Sequence, residues 1–215
     1  MYLIVDTETT GLPRSYNFPI THIDNWPRIV QISWQSHNVV GDFIEFKNFI
    51  IKPDNYDIPF NAFKIHGITN EKAEKYGFDL NFVLHEFQKS LDQSQCLIGH
   101  NLKFDIKVIE CEFFRKKISF SFKKKKILDT KEISVSYCKL LGSGKKFKWP
   151  TLSELYQKLF GEKVTNFHNA ANDVKATARS FLELLRIGII SHQEIGVKED
   201  ILLNFRKNHT QKISS

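Results

Sequence analysis

The chain has 215 residues, of which 41% are hydrophobic and 26% charged, so it is long enough for one well-cored domain and too ordinary in composition to be disordered or fibrous. No apolar run approaches the ~20 residues a bilayer crossing needs, and the start, Met1-Tyr2-Leu3-Ile4-Val5-Asp6, has no basic leader, so a cytoplasmic protein is expected. Three cysteines, Cys96, Cys111 and Cys138, sit in apolar-periodic segments and read as buried thiols, while a formal charge of +7 favours a polyanionic partner without requiring one.

In chain order, Tyr2 to Val5 is a continuous apolar run ending on acids, the pattern of a central strand covered on both faces. Ile29 to Trp34 and Phe43 to Ile51 are β-rich runs separated by Gly41-Asp42, which predicts a hairpin and, with the first run, a meander. Helical patterning starts at Asn61 and breaks at Gly67 and Gly77. Asp79 is then expected to cap a helix bearing Phe82, Val83, Phe87 and Leu91 on one stripe.

Cys96 to Ile98 predicts a fourth, buried strand. Leu102, Ile106, Ile109 and Phe113 predict the helix after it, and strand followed by helix implies parallel pairing. Ile127 to Asp129 reads as a fifth strand, Ile133 to Leu141 as a helix, Gly142 to Lys148 as a loop, and Leu152 to Phe160 and Val174 to Leu185 as further helices. Residues 1–187 are expected to form one domain. The segment 188–215, with an Ile201-Leu202-Phe205 stripe and a polar tail, is expected to be a helical extension packed on it.

Chemistry concentrates in a few acids. Asp6 and Glu8 are two apart on a strand, so both carboxylates share a face. Such a pair calls for a cation, and oxygen donors without cysteine favour magnesium or manganese, although an isolated D-x-E also occurs at solvated strand ends. Asp105 lies between apolar neighbours on its helix and needs a partner, either a shared cation or a salt bridge to Lys or Arg. Asp173 begins the stripe Val174, Ala178, Phe181 and Leu185 and repeats that setting. His168, five residues earlier, is expected outside the helix with Asn169 as N-cap. Taken alone, it reads as readily as a structural loop histidine.

Three stretches together carry a resemblance. Val5-Asp6-Thr7-Glu8-Thr9-Thr10-Gly11-Leu12, His100-Asn101-Leu102-Lys103-Phe104-Asp105 and His168-Asn169-Ala170-Ala171-Asn172-Asp173 resemble, in order, the three motifs of the DnaQ-like exonucleases. These are the histidine-containing (DEDDh) branch of the four-carboxylate family, to which the DNA polymerase III epsilon proofreading subunit belongs. The resemblance spans almost the whole chain. It implies an α/β, ribonuclease H-like fold with a five-stranded mixed sheet flanked by helices. It further implies two divalent ions, Mg2+ or Mn2+, on Asp6, Glu8, Asp105 and Asp173, with His168 as general base. The implied activity is 3'-5' exonuclease action on a single-stranded or frayed 3' end of DNA or RNA, releasing 5'-monophosphates. A polymerase or another replication or repair protein is an implied partner, and a membrane is not.

By the same resemblance Thr9, Leu12, His66, Asn101 and Phe104 fall where family members contact the terminal nucleotide or support the metal ligands. Each has a plain alternative: a turn at Thr9-Thr10-Gly11, a helix cap at Asn101, core packing for Phe104 and a hydrogen-bonded loop histidine at His66. The aromatic segment Pro13 to Pro27 could stack on bases but reads more readily as loop packing. The cationic run Arg115 to Lys126 and the cluster Lys145 to Trp149 are either phosphate anchors or solvated faces. Two rivals are an endonuclease of the ribonuclease H or integrase kind, which has no place for the His168 motif, and a non-catalytic nucleic-acid-binding accessory subunit. At this length no polymerase domain is expected alongside.

Overall fold

The computed structural model describes residues 1–144, 146–162 and 169–211. Five strands, β1 (Tyr2–Thr9), β2 (Ile29–His37), β3 (Phe43–Ile50), β4 (Cys96–Gly99) and β5 (Lys126–Asp129), form one sheet in the order β3-β2-β1-β4-β5. β1 pairs antiparallel with β2 and parallel with β4, and β4 pairs parallel with β5. The helices are α1 (Phe60–His66), α2 (Asn70–Tyr76), α3 (Leu80–Gln93), α4 (Leu102–Arg115), α5 (Thr130–Ile133), α6 (Val135–Cys138), α7 (Leu152–Phe160), α8 (Ala170–Arg186), α9 (His192–Ile195) and α10 (Glu199–Gln211).

The period of two in β1 splits the core. Leu3 and Val5 join a cluster with Val83, Phe87, Leu102 and Val108 from α3 and α4, whereas Tyr2 and Ile4 join Val174, Phe181 and Leu185 of α8. The sheet is therefore covered on both faces, and β1 at its centre is apolar without alternation. Leu202 and Phe205 of α10 belong to the α8-side cluster. Gly41 in the β2–β3 turn takes a φ of +87°, and a side chain there would strike the Phe205 ring. All three cysteines are buried free thiols.

β1 carries the Asp6–Glu8 pair within the strand and runs to Thr9, because β2 keeps pairing with it through Glu8 and Thr9. Two local expectations are corrected. The helix expected over Ile133 to Leu141 is instead the two short pieces α5 and α6: the Ser134 hydroxyl donates back to the Thr130 carbonyl at 2.6 Å, and Lys139 turns left-handed at a φ of 50°. Phe82 is exposed and stacks on Phe78 rather than entering the core. It lies one residue, about 100° around the helix, from the buried Val83.

Candidate active site

The α8 face of β1 is the face of Asp6 and Glu8, since they share the parity of Tyr2 and Ile4. Asp173 stands in the first turn of α8, which the Asn169 side chain caps by accepting from the Ala171 N–H at 3.1 Å. Asp6, Glu8 and Asp173 can each offer an oxygen such that all three atoms lie within 4.8 Å of one another. Glu8 and Asp173 are each 9% exposed. An oxygen-only, triply anionic donor set at the end of a buried strand suits a hard divalent cation.

Asp105 reaches the same place from the opposite face. β4 ends at Gly99, one residue beyond the Ile4–Ile98 pair, so from there β1 has no β4 neighbour. Asp105 fills the gap. Its Oδ1 accepts from the Thr7 N–H at 3.0 Å and from the Thr7 hydroxyl at 2.6 Å, and it is 4% exposed. The partner that a buried carboxylate requires is thus the backbone and side chain of β1 rather than Lys or Arg.

The four acids share one electrostatic field. Burial first, then Asp105, Asp173 and Glu8, pushes the Asp6 carboxyl well above the usual carboxylate range. Burial, with Asp173 and Asp105, pushes Glu8 up to about 8. For Asp105, burial outweighs the two Thr7 bonds and raises the group to about 7. Crowding raises the cost of each negative charge, which a cation bound among these carboxylates would offset.

Beside Glu8 lies a cavity of about 250 Å³ lined by Thr9, Leu12, His66 and Phe104 together with Thr10, Asn61 and Ile65. The Thr9 hydroxyl donates to the Gly11 carbonyl at 2.6 Å, turning the chain so that Leu12 stands out, 75% exposed. His66 Nδ1 accepts from the Ile68 N–H at 3.1 Å, which leaves the proton on Nε2, a buried atom with no partner in good hydrogen-bond geometry among the described residues. Burial lowers its pKa against a weaker opposing pull from the Thr9 backbone, so the ring is neutral. Asn101 does not line this cavity. It lines an adjoining groove of about 160 Å³ on the other side of Phe104. His168 lies outside the described residues, as does Lys145.

The RNase_T exonuclease family model matches residues 3–181. The chain belongs to the exonuclease family. Among relatives, the PolC-type DNA polymerase III of Caldanaerobacter subterraneus subsp. tengcongensis is 29% identical over 199 residues, covering 92% of this chain, and that of Staphylococcus aureus is 24% identical over 220 residues, covering 99%. The chain spans only 12% and 14% of the length of those two proteins. Among solved structures, E. coli exonuclease I in complex with a dT13 oligonucleotide superposes with a TM-score of 0.67 at 24% identity, covering 86% of this chain and 40% of that one. Exonuclease X in complex with 5' overhanging duplex DNA gives 0.59 at 18%, covering 94% and 99%. These likenesses establish the ribonuclease H-like fold, and members of this exonuclease family generally work with divalent metal ions.

The chain also contains positioning residues that its sequence did not disclose. Asp129, at the end of β5, accepts from the N–H groups of Asn101 and Leu102, each at 2.9 Å, and of Lys131 at 3.0 Å, so one carboxylate caps both α4 and α5. Asn101, the expected cap of α4, is left-handed at a φ of 71° and makes no side-chain cap bond. Gln31 Oε1 accepts from the Ala170 N–H at 3.3 Å and Gln31 Nε2 donates to Asn48 at 2.8 Å, tying the start of α8 to β2 and β3. His100 places Nε2 3.1 Å from the Pro150 carbonyl and Nδ1 3.0 Å from Thr130 Oγ1, and burial lowers it to about 4, so it works as a neutral tie. A signal existed only for Asp129, an acid ending a strand. Nothing local marks which helix it caps.

Proposed function

We propose that the chain is a metal-dependent 3'-5' exonuclease that removes single nucleotides from the 3' end of a strand, DNA being the favoured substrate. The observation that carries this reading is the juxtaposition of the Asp6, Glu8 and Asp173 carboxylates, within 4.8 Å of one another, with a nucleotide-sized cavity on Glu8. Relatives named as DNA polymerase III and a fold neighbour solved with an oligonucleotide support DNA and a partnership with a polymerase.

In this reading the terminal nucleotide occupies the cavity between His66 and Phe104, with the projecting Leu12 against its base. Asp6, Glu8, Asp105 and Asp173 would hold two divalent ions, which when bound supply charge to the entering and leaving oxygens of an in-line displacement. His168 takes the proton of the attacking water, for which a neutral imidazole of ordinary pKa near ~6.5 is suited. The water oxygen bonds to phosphorus, the bond to the 3' oxygen breaks, and the products are a nucleoside 5'-monophosphate and a strand shortened by one with a new 3' hydroxyl.

The test is degradation of matched end-labelled DNA and RNA strands with magnesium or manganese and with chelator. The expected result is stepwise loss of 5'-monophosphates from an open 3' end, severe slowing when that end is blocked, and no turnover in chelator. Full activity after verified metal removal, or rapid cutting of a closed circular single strand, would overturn the reading. Faster loss from RNA would reassign the substrate.

A further inference from the structure

The connection between β1 and β2, Thr10 to Arg28, contains one short helical turn at Ile23–Asn25 and no strand. Links of this length inside a domain are uncommon unless they serve a site or stay loose. This one is laced together. The Thr10 N–H donates to the Arg28 carbonyl at 2.9 Å, and the Thr10 hydroxyl accepts from the Arg28 N–H at 3.0 Å. The Arg14 N–H donates to the Asn25 carbonyl at 3.3 Å, and the Asn25 side chain bonds both the N–H and the carbonyl of Ser15 at 2.9 Å. The outgoing limb carries Leu12 into the wall of the cavity beside Glu8, so Leu12 stands where the returning limb puts it.

The returning limb is fixed by α4. In the last turn of that helix the Arg115 guanidinium donates to the carbonyls of Ile23 at 2.5 Å, Trp26 at 2.6 Å and Pro27 at 3.2 Å. Glu112, three residues earlier and fully buried, accepts on one oxygen from the Ile29 N–H at 3.0 Å and from Arg28 Nε at 2.9 Å. Arg115 lies 3.1 Å from that same oxygen. Two guanidinium groups around a buried carboxylate are a weak source of stability, because desolvation offsets their attraction. What they supply is direction, since a planar guanidinium holds its acceptors in a fixed fan. The first turn of the same helix carries Phe104, which also lines the cavity. One rod thus sets two walls, Phe104 directly and Leu12 through Arg115, Glu112 and the two limbs.

Resting on the exonuclease reading, we propose that Arg115, oriented by Glu112, is a positioning residue for strand binding. It holds the β1–β2 connection in its binding shape before the strand arrives, so that the cavity lined by Leu12 and Phe104 is preformed. It touches no substrate and takes no part in hydrolysis. Its loss therefore raises KM and leaves the rate at saturation unchanged.

The experiment uses the full chain with magnesium and a 5'-labelled single DNA strand, comparing wild type, Arg115→Ala, Arg115→Lys and Lys116→Gln. The last removes a neighbouring charge that pairs with Asp54, and it should match wild type. Arg115→Ala should raise KM, and the Kd for a strand ending in a slowly cut phosphorothioate, by about 10- to 100-fold, the scale of a small misplacement, with kcat unchanged. Arg115→Lys, a point charge in place of the fan, should fall between. Ethylguanidinium, admitted through the open cavity of about 470 Å³ that Arg115 lines, should restore the affinity of Arg115→Ala, and ethylammonium should not. Trypsin gives a reading that needs no strand. Cleavage after the exposed Arg14 should accelerate in Arg115→Ala ahead of cleavage elsewhere, whereas global unfolding opens many sites together. Wild-type KM in folded Arg115→Ala, a kcat that falls as far as kcat/KM, or early cuts spread over the chain would overturn the proposal. If Arg115→Ala does not fold, wild-type affinity and Arg14 protection in Arg115→Lys would overturn it. A protein that never cuts, yet shows the Kd change and its rescue, keeps the positioning role and loses the exonuclease reading. One that cuts with KM unchanged in Arg115→Ala does the reverse.

Discussion

Asp6, Glu8 and Asp105 have carboxyl groups raised above their ordinary values, and the sign of that shift makes a stability prediction. A raised acid keeps its proton in the folded state after the unfolded chain has lost it. Its contribution is therefore complete below the unfolded values, near ~4, and is lost as pH rises through about 7 for Asp105 and about 8 for Glu8. His100, lowered to about 4, has the opposite sign: its contribution is present above ~6.5 and is lost as pH falls. Chelated protein should melt at falling temperature from pH 6.5 to 8.5, and Glu8→Gln should flatten that fall. Magnesium should raise the Tm more at pH 8 than at pH 5, because ions replace protons at the cluster. Thermal melts across pH check both, and an equal magnesium effect at the two pH values would count against a metal site. At the same scale, Asp6→Ala, Glu8→Ala, Asp105→Ala and Asp173→Ala should each nearly abolish hydrolysis in folded protein and shrink the magnesium effect on Tm. His168→Ala should keep that effect and strand affinity while losing about 10²- to 10⁴-fold in rate, read by single-turnover cleavage. A folded His168→Ala protein with wild-type rate would make the histidine structural.

The helix that delivers Asp105 begins under a carboxylate from another element. Asp129 satisfies three N–H groups that would otherwise be left open at the starts of α4 and α5, whereas the Asn101 side chain caps nothing there. Asp129→Ala should cost about 1 to 3 kcal/mol in urea unfolding and lower metal-dependent activity, since α4 loses its anchor one turn before Asp105. Asn101→Gly, matched to the left-handed backbone, should change stability by less than about 0.5 kcal/mol. Reversal of that order would return the cap to Asn101. The Thr7 bonds and the Gln31 bridge act in the same way, each joining a carboxylate-bearing helix to the sheet.

Charge is distributed unevenly over the molecule with respect to the site. Of the two readings of the cationic run, the topology favours the solvated face for Lys123 to Lys126. Lys126 is level with Tyr2 across β4, four residues and about 13 Å of strand from Asp6, at the other end of the sheet. Several cations of the run are also committed to the protein itself. Lys125 donates to the carbonyls of Asp92 and Ser94, Arg115 to those of Ile23, Trp26 and Pro27, and Lys116 pairs with Asp54. Changing Lys123 and Lys124 together to Gln should leave the salt slope of strand binding unchanged, while Lys131, which lines the groove beside Phe104, changed to Gln should lower it by about 0.7, the value of one phosphate. Fluorescence titration at several salt concentrations reads this, and a flattened slope in the Lys123/Lys124 variant would restore that run as an anchor.

Asp6 and Glu8 were legible as a shared face because the period of a strand is a property of the local backbone. The inward placement of Asp105 and Asp173, and the cap at Asn169, followed from helical periodicity in the same way. The order β3-β2-β1-β4-β5 was largely readable too, since short links and strand–helix alternation restrict pairing. What only the tertiary structure decided depends on residues far apart in the chain. Thr7 meets Asp105 at a separation of 98 residues because β4 stops short and leaves a backbone N–H open. Asp129 caps α4 because β5 ends level with Gly99, and Trp149 reaches Phe104's far side because His100 holds Pro150. Such meetings are set by where strands end against one another, a quantity that no window of sequence contains.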